Sequence, residues 1–135
     1  MNKRTNNKGI LWGIAVVLAL VALLFMIPTS SGQTQLDGKG FIEKFLSTSS
    51  NAVLLDVRTP AEFSAGHIDK AVNIDFENQS FESDIKKLDT SKTYFVYCRS
   101  GNRSGKSIAV MKNNGFKNIY ELRGGVSTFP ELVAK

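Results

Sequence analysis

An α/β architecture, with a central, mainly parallel sheet and helices on both faces, follows from three features of this 135-residue chain. From Val53 onward, short apolar runs alternate with amphipathic stretches, the pattern of βα repeats rather than of hairpins. The apolar runs are continuous, as in Ala52-Val53-Leu54-Leu55, which suits strands covered on both sides. Turn and helix-start signals follow the runs, so a ligand site is expected at the C-terminal ends of the strands. Ahead of this domain, residues 10–27 carry no charge and predict one N-terminal transmembrane or signal helix.

The elements can be justified in order. Phe41, Ile42, Phe45 and Leu46 make one apolar helix face, with Asp37 placed to cap it and the polar stretch 47–51 to end it. The run from Ala52 ends at Asp56-Val57-Arg58 as a first strand. Thr59-Pro60-Ala61-Glu62 is a compact helix start: Thr59 at the N-cap, Pro60 at N1, and Glu62 at N3 completing a capping box. Gly66 stops that helix, and 71–74 gives a second strand. Phe81, Ile85 and Leu88 mark an amphipathic helix. Residues 93–97, Thr-Tyr-Phe-Val-Tyr, are a third strand rich in aromatic and β-branched residues. A helix is expected over 104–114, N-capped by Ser104, with Ile108, Ala109 and Met111 inward and Gly115 as its left-handed stop. Residues 118–122 give a fourth strand and 126–133 a short closing helix.

The chain therefore divides into a basic n-region (1–9), an apolar segment (10–27), a tether (28–35) and the α/β domain (36–135). Eighteen of the hydrophobic residues fall in the first 27 positions. The apolar segment would span about 27 Å as a helix, close to the ~30 Å hydrocarbon core of a bilayer. Lys3, Arg4 and Lys8 precede it and the next cation is Lys39, so the N-terminus is expected inside and the domain outside the cell membrane. An uncleaved signal anchor fits better than a cleaved secretory signal, because no A-x-A site follows the run. Pro28 to Gln35, uncharged and rich in Ser, Thr and Gln, reads as a flexible tether.

The formal net charge of +5 is correspondingly uneven. Beyond the n-region, fourteen basic residues face twelve acidic ones, and the one adjacent basic pair, Lys86-Lys87, lies among Glu82, Asp84 and Asp89. No basic stripe for nucleic acid remains. A single cysteine excludes an internal disulfide framework and a cysteine-rich zinc site. With one histidine, His67, a triad or a histidine-based metal site would rest on that residue alone.

That cysteine, Cys98, follows directly on the third strand in Tyr97-Cys98-Arg99-Ser100-Gly101-Asn102-Arg103-Ser104. Free cysteines usually act as small buried hydrophobes, but this one is followed by Arg99, Ser100, Asn102 and Arg103. Gly101 allows the loop to curl with its amides inward, and the next helix turns its N-terminus toward the same place. Two guanidinium groups and a helix N-terminus all stabilise a thiolate. Such a loop suits either phosphate-ester hydrolysis through a phosphocysteine or sulfur transfer through a persulfide. Phosphatase and arsenate-reductase cradles place five residues between cysteine and arginine. Here four separate Cys98 from Arg103, which fits one added sulfur atom better than a phosphoryl group.

Four stretches in order, Leu54-Leu55-Asp56-Val57-Arg58-Thr59-Pro60-Ala61-Glu62-Phe63, Gly66-His67-Ile68 with Ala71-Val72-Asn73-Ile74, the Cys98 loop, and Leu122-Arg123-Gly124-Gly125-Val126, resemble the rhodanese-like single-domain sulfurtransferases. The resemblance covers 36–132 and departs at Phe129, where the family often has Trp. It implies a rhodanese-like fold. It also implies transfer of sulfane sulfur from a donor such as thiosulfate to a thiophilic acceptor such as cyanide or a thiol. Cys98 would be the catalytic, persulfide-carrying residue. Arg99, Ser100, Gly101, Asn102, Arg103 and Ser104 would form the active-site, anion-binding loop, with no metal or organic cofactor required. Either Arg99 or Arg103 would hold an anionic donor. Asp56 and Arg58 are supporting candidates, as an anion clamp, a loop brace or a structural ion pair. Glu62 is read as a cap, His67 as a structural residue bonded to backbone, and Gly124-Gly125 as a tight turn. A non-catalytic or carrier module docking a protein partner at the membrane is the alternative function.

Overall fold

The computed structural model describes residues 34–134. The n-region, the apolar segment 10–27 and residues 28–33 of the tether lie outside the described residues. The chain runs β1 (Thr34–Leu36), α1 (Gly38–Thr48), β2 (Ala52–Asp56), α2 (Pro60–Ser64), β3 (Val72–Asn73), α3 (Phe81–Ile85), β4 (Thr93–Tyr97), α4 (Asn102–Asn113) and β5 (Asn118–Leu122). Short 3-10 turns lie at Ser49–Asn51 and Pro130–Leu132. The sheet order is β1-β5-β4-β2-β3 and every pairing is parallel.

Right-handed crossovers decide which face each helix covers. The β3-to-β4 and β4-to-β5 connections step across the sheet in one direction, so α3 and α4 share a face. Their Phe81, Ile85, Ile108 and Met111 pack there on Leu55, Val96 and Ile119. The β1-to-β2 and β2-to-β3 connections step the other way. Phe41 of α1 and Ile68 therefore pack on the opposite face with Leu54, Phe95, Tyr97 and Leu122. The connections leaving β2 and β4 diverge to opposite faces although the two strands are neighbours. Their C-terminal ends form the switch point where open α/β sheets place their chemistry.

Three sequence expectations change. Thr34 and Gln35, read as the end of the tether, belong to strand β1 and pair with Tyr120 and Glu121. A three-residue polar strand has no period of its own and exists through its distant partner. The closing helix over 126–133 is instead a turn followed by the 3-10 segment. Ala134 and His67 exchange backbone hydrogen bonds (3.0 and 3.2 Å) that draw the chain end into an antiparallel bridge. Ala109 faces solvent; Ser104, Ser107, Ile108 and Met111 form the buried stripe of α4.

The local signals elsewhere hold. The Asp37 carboxylate accepts from the Gly40 N–H at 2.8 Å at the start of α1. The capping box forms as read, with the Glu62 N–H donating to Thr59 Oγ1 and the Thr59 N–H to Glu62 Oε2. Gly115 takes φ +88° at the end of α4. Phe129 seats against Gly38, where any Cβ would come within 2.6 Å of the ring.

Candidate active site

Alternation along β4 places Tyr94, Val96 and then Cys98 toward α4, so the sulfur emerges where that helix begins. Cys98 is only 1% exposed. Gly101, at φ +94°, caps α4 and turns its own N–H back on the sulfur at 3.1 Å. Helix α4 thus starts at Asn102, and Ser104 is not its N-cap. Ser104 lies one turn inside, fully buried, with Oγ 3.4 Å from Cys98 Sγ. The left-handed backbone that glycine permits moves the cap forward, because it closes the loop without a side-chain acceptor. Among the described residues no acceptor is recorded for the amides of Arg99, Ser100, Asn102 and Arg103. At the start of α4 such amides are available to an anion, and that of Gly101 already meets the sulfur.

The loop is fixed from behind by the Gly124-Gly125 turn. The Val126 N–H donates to the Cys98 carbonyl (3.0 Å) and the Ser127 N–H to the Arg99 carbonyl (2.8 Å). Gly125 sits at φ +64°, and a Cβ there would lie 2.5 Å from both carbonyl oxygens. The tight turn is therefore also the floor of the site.

The two arginines of the loop differ. Arg103 makes a two-pronged contact with Glu62, Nη1 to Oε2 at 2.6 Å and Nη2 to Oε1 at 2.7 Å, with Glu77 3.8 Å away. The hydrogen bonds from Arg103, with those of Thr59, outweigh partial burial and hold the Glu62 carboxyl well below the usual range, at about 2. Glu62 raises the guanidinium in return. Arg99 is exposed and has no carboxylate partner among the described residues. Of the two candidates for an anionic donor, Arg99 is the one left open.

Asp56 and Arg58 form a closed, buried pair at the end of β2. Arg58 Nε and Nη2 bond the carboxylate at 3.0 and 2.6 Å, and the Arg58 N–H adds a bond of 2.9 Å. Nη2 also donates to the Gly66 carbonyl at 2.8 Å. Burial opposes the charge on Arg58, but the Asp56 hydrogen bonds and charge prevail and raise its pKa. Among the described residues none of these Arg58 bonds reaches the 98–104 loop, and the geometry is that of a structural pair. His67 stacks on Phe63 with ring centroids 3.7 Å apart and bonds the Phe63 carbonyl through Nδ1.

The family model for the rhodanese-like domain matches residues 42–131. The chain belongs to that family. A tRNA uridine(34) hydroxylase from Buchnera aphidicola is 39% identical over 80 residues, 56% of this chain. The chain spans about a quarter of that relative's length (26%). A thiosulfate sulfurtransferase, GlpE, from Pseudomonas entomophila is 35% identical over 88 residues, 62% of this chain and 79% of the relative. A solved rhodanese-related protein from Thermoplasma volcanium superposes with TM-score 0.60 at 25% identity, covering 75% of this chain and 97% of that one.

Two acids at this rhodanese-like site escaped the sequence reading. Glu62 has a second task beyond its cap, as the partner of Arg103. Glu121 on β5, 1% exposed, accepts from Ser104 Oγ at 2.7 Å and from Gln35 Nε2 at 2.8 Å. The signal for Glu121 was available. An acid between Tyr120 and Leu122, in a strand covered on both faces, has to be buried and bonded.

Proposed function

We propose that this domain is a sulfurtransferase that carries sulfane sulfur as a Cys98 persulfide. The observation that carries the reading is the short loop itself, in which Cys98 Sγ lies beneath the Gly101 N–H at the mouth of α4. The Cys98 thiolate attacks the outer sulfur of a donor such as thiosulfate. The donor S–S bond breaks, sulfite leaves with its electron pair, and Cys–S–S⁻ remains. A thiophilic acceptor such as cyanide or a thiol then takes the outer sulfur and restores the thiolate. The loop amides stabilise the persulfide anion as an oxyanion hole does its oxygen, and Arg99 attracts the anionic donor. A phosphatase would need Arg103 on the phosphoryl group, whereas here Glu62 occupies that guanidinium. The test is to incubate the full chain with thiosulfate and read its intact mass. A gain of about 32 Da, lost on adding cyanide and absent in Cys98→Ser, is expected. No gain from any sulfane donor would sink the reading in favour of a non-catalytic docking module.

The same proposal places the domain outside the cell membrane, held by residues 10–27 as a signal anchor. Its support is the uncharged run behind three basic residues. Among the described residues no helix is long and apolar enough to cross a membrane. A reporter fused after Lys135 should be active only on the outer side; activity confined to the cytoplasm would reverse the topology.

A further inference from the structure

Glu121 is buried two hydrogen bonds from the nucleophilic sulfur, and the two transfer steps give it no task. Ser104 Oγ carries one proton and has three acceptors in reach: Glu121 Oε1 at 2.7 Å, the Gly101 carbonyl at 3.1 Å and Cys98 Sγ at 3.4 Å. The carboxylate takes it, since an O–H···O⁻ bond is the shortest and strongest of these. With its proton on the carboxylate, Ser104 has a lone pair for the Cys98 S–H, one of the two donor senses that the 3.4 Å contact allows. We propose that Ser104 and Glu121 form a relay that takes up the proton of the Cys98 thiol, so that Cys98 and Glu121 share one negative charge. The thiol proton moves to Ser104 Oγ as the Ser104 proton moves to Glu121 Oε1. One S–H and one O–H bond break, two O–H bonds form, and nothing is oxidised or reduced. The thiolate is left accepting from Ser104 and from the Gly101 N–H. The buried cluster keeps its total charge and never has to hold a second anion. This rests on the proposed role of Cys98 as nucleophile and makes Glu121 a positioning residue that acts through Ser104.

The surroundings do not offer the thiol proton another home. From α4, Arg103 is paired with Glu62 and Glu77, while Lys106 is exposed. Arg99 is exposed in the loop. Beyond β5, Arg123 is exposed and reaches the Gln35 carbonyl at 3.4 Å. Asp56, at the end of β2, is closed on Arg58. From α1, Lys44 lies over Tyr120 on the other face of the sheet.

The test is the rate of iodoacetamide alkylation of the full chain against pH, read at its single cysteine. An isolated thiol slows tenfold per pH unit below its midpoint. A shared proton instead gives a pH window in which the rate is flat, because the thiol–carboxylate and thiolate–acid forms carry the same number of protons. Glu121→Gln should remove the plateau and restore the tenfold slope. Gln35→Ala, on the exposed edge strand, should raise the plateau about tenfold, because the carboxylate loses a bond that favours its charged form. A wild-type profile of unit slope throughout, or a plateau that survives Glu121→Gln, overturns the relay. If that variant does not fold, a plateau unmoved by Gln35→Ala overturns it equally. A plateau in a chain that never loads sulfur would sink the sulfur-transfer reading alone. Sulfur loading without a plateau would sink the relay alone.

Discussion

Two arginine–carboxylate pairs flank the ends of neighbouring strands, and they do different work. Arg58–Asp56 is local, two residues apart, and closed to solvent, with side chains 7% and 0% exposed. Arg103–Glu62 joins elements 41 residues apart at the rim of the site, with side chains 19% and 27% exposed. The buried pair ties β2 to the carbonyl that ends α2, and so belongs to the fold. The rim pair ties the cysteine loop to the first turn of α2, and so belongs to the geometry of the site. Burial and span separate the two pairs.

The sharpest way to break this contrast is Asp56→Ala. It leaves the Arg58 guanidinium buried without its counter-charge, a loss of about 3–5 kcal/mol. For a domain of this size the thermal midpoint should fall by about 15 °C or more, measured by circular dichroism. Sulfur loading per folded molecule, assayed well below the midpoint, should be retained. A variant that keeps its midpoint but loses loading would move Asp56 into the site.

Glu62→Gln tests the rim pair, with a smaller effect on stability, up to about 1 kcal/mol, and a larger one on the site. Freed from Glu62, Arg103 no longer pins the loop, and sulfur loading should slow about tenfold. The pH dependence follows from the carboxyl held at about 2. A group depressed in the folded state contributes its full stabilisation above its unfolded value, 4.5, and loses it as pH falls toward 2. The stability gap between wild type and Glu62→Gln should therefore close between pH 4.5 and 2. A gap that persists unchanged at pH 2 would show that the ion pair is not its source.

The same distinction explains what was legible in the sequence. The capping box of α2, the strand Thr93–Tyr97 and the cysteine loop are written within a few adjacent residues, and each was found. What escaped depends on partners far along the chain. Thr34–Leu36 becomes a strand only against β5, Glu62 meets Arg103 only when the loop folds over α2, and Glu121 meets Ser104 only across a crossover helix. Ser104 was mistaken for a cap because Gly101 takes that position through a backbone conformation rather than a side-chain bond.

The smallest effect concerns Arg99, which has no carboxylate partner among the described residues. Arg99 bonds through its carbonyl to the Ser127 N–H, a contact that any side chain preserves. Arg99→Ala should therefore leave the fold and the loop intact, with the thermal midpoint unchanged within about 1 °C. What it removes is an exposed cation at the mouth of the site. Exposed ion pairs are worth up to about 1 kcal/mol, so KM for thiosulfate should rise about fivefold with kcat unchanged. The difference should shrink as salt is raised, because an exposed charge is screened. A neutral alkylating agent, which has no charge to steer, should react with Cys98 at the wild-type rate. If instead kcat falls and neutral alkylation slows as well, Arg99 acts on the sulfur itself, and the division between a guanidinium that holds the loop and one that meets the donor fails.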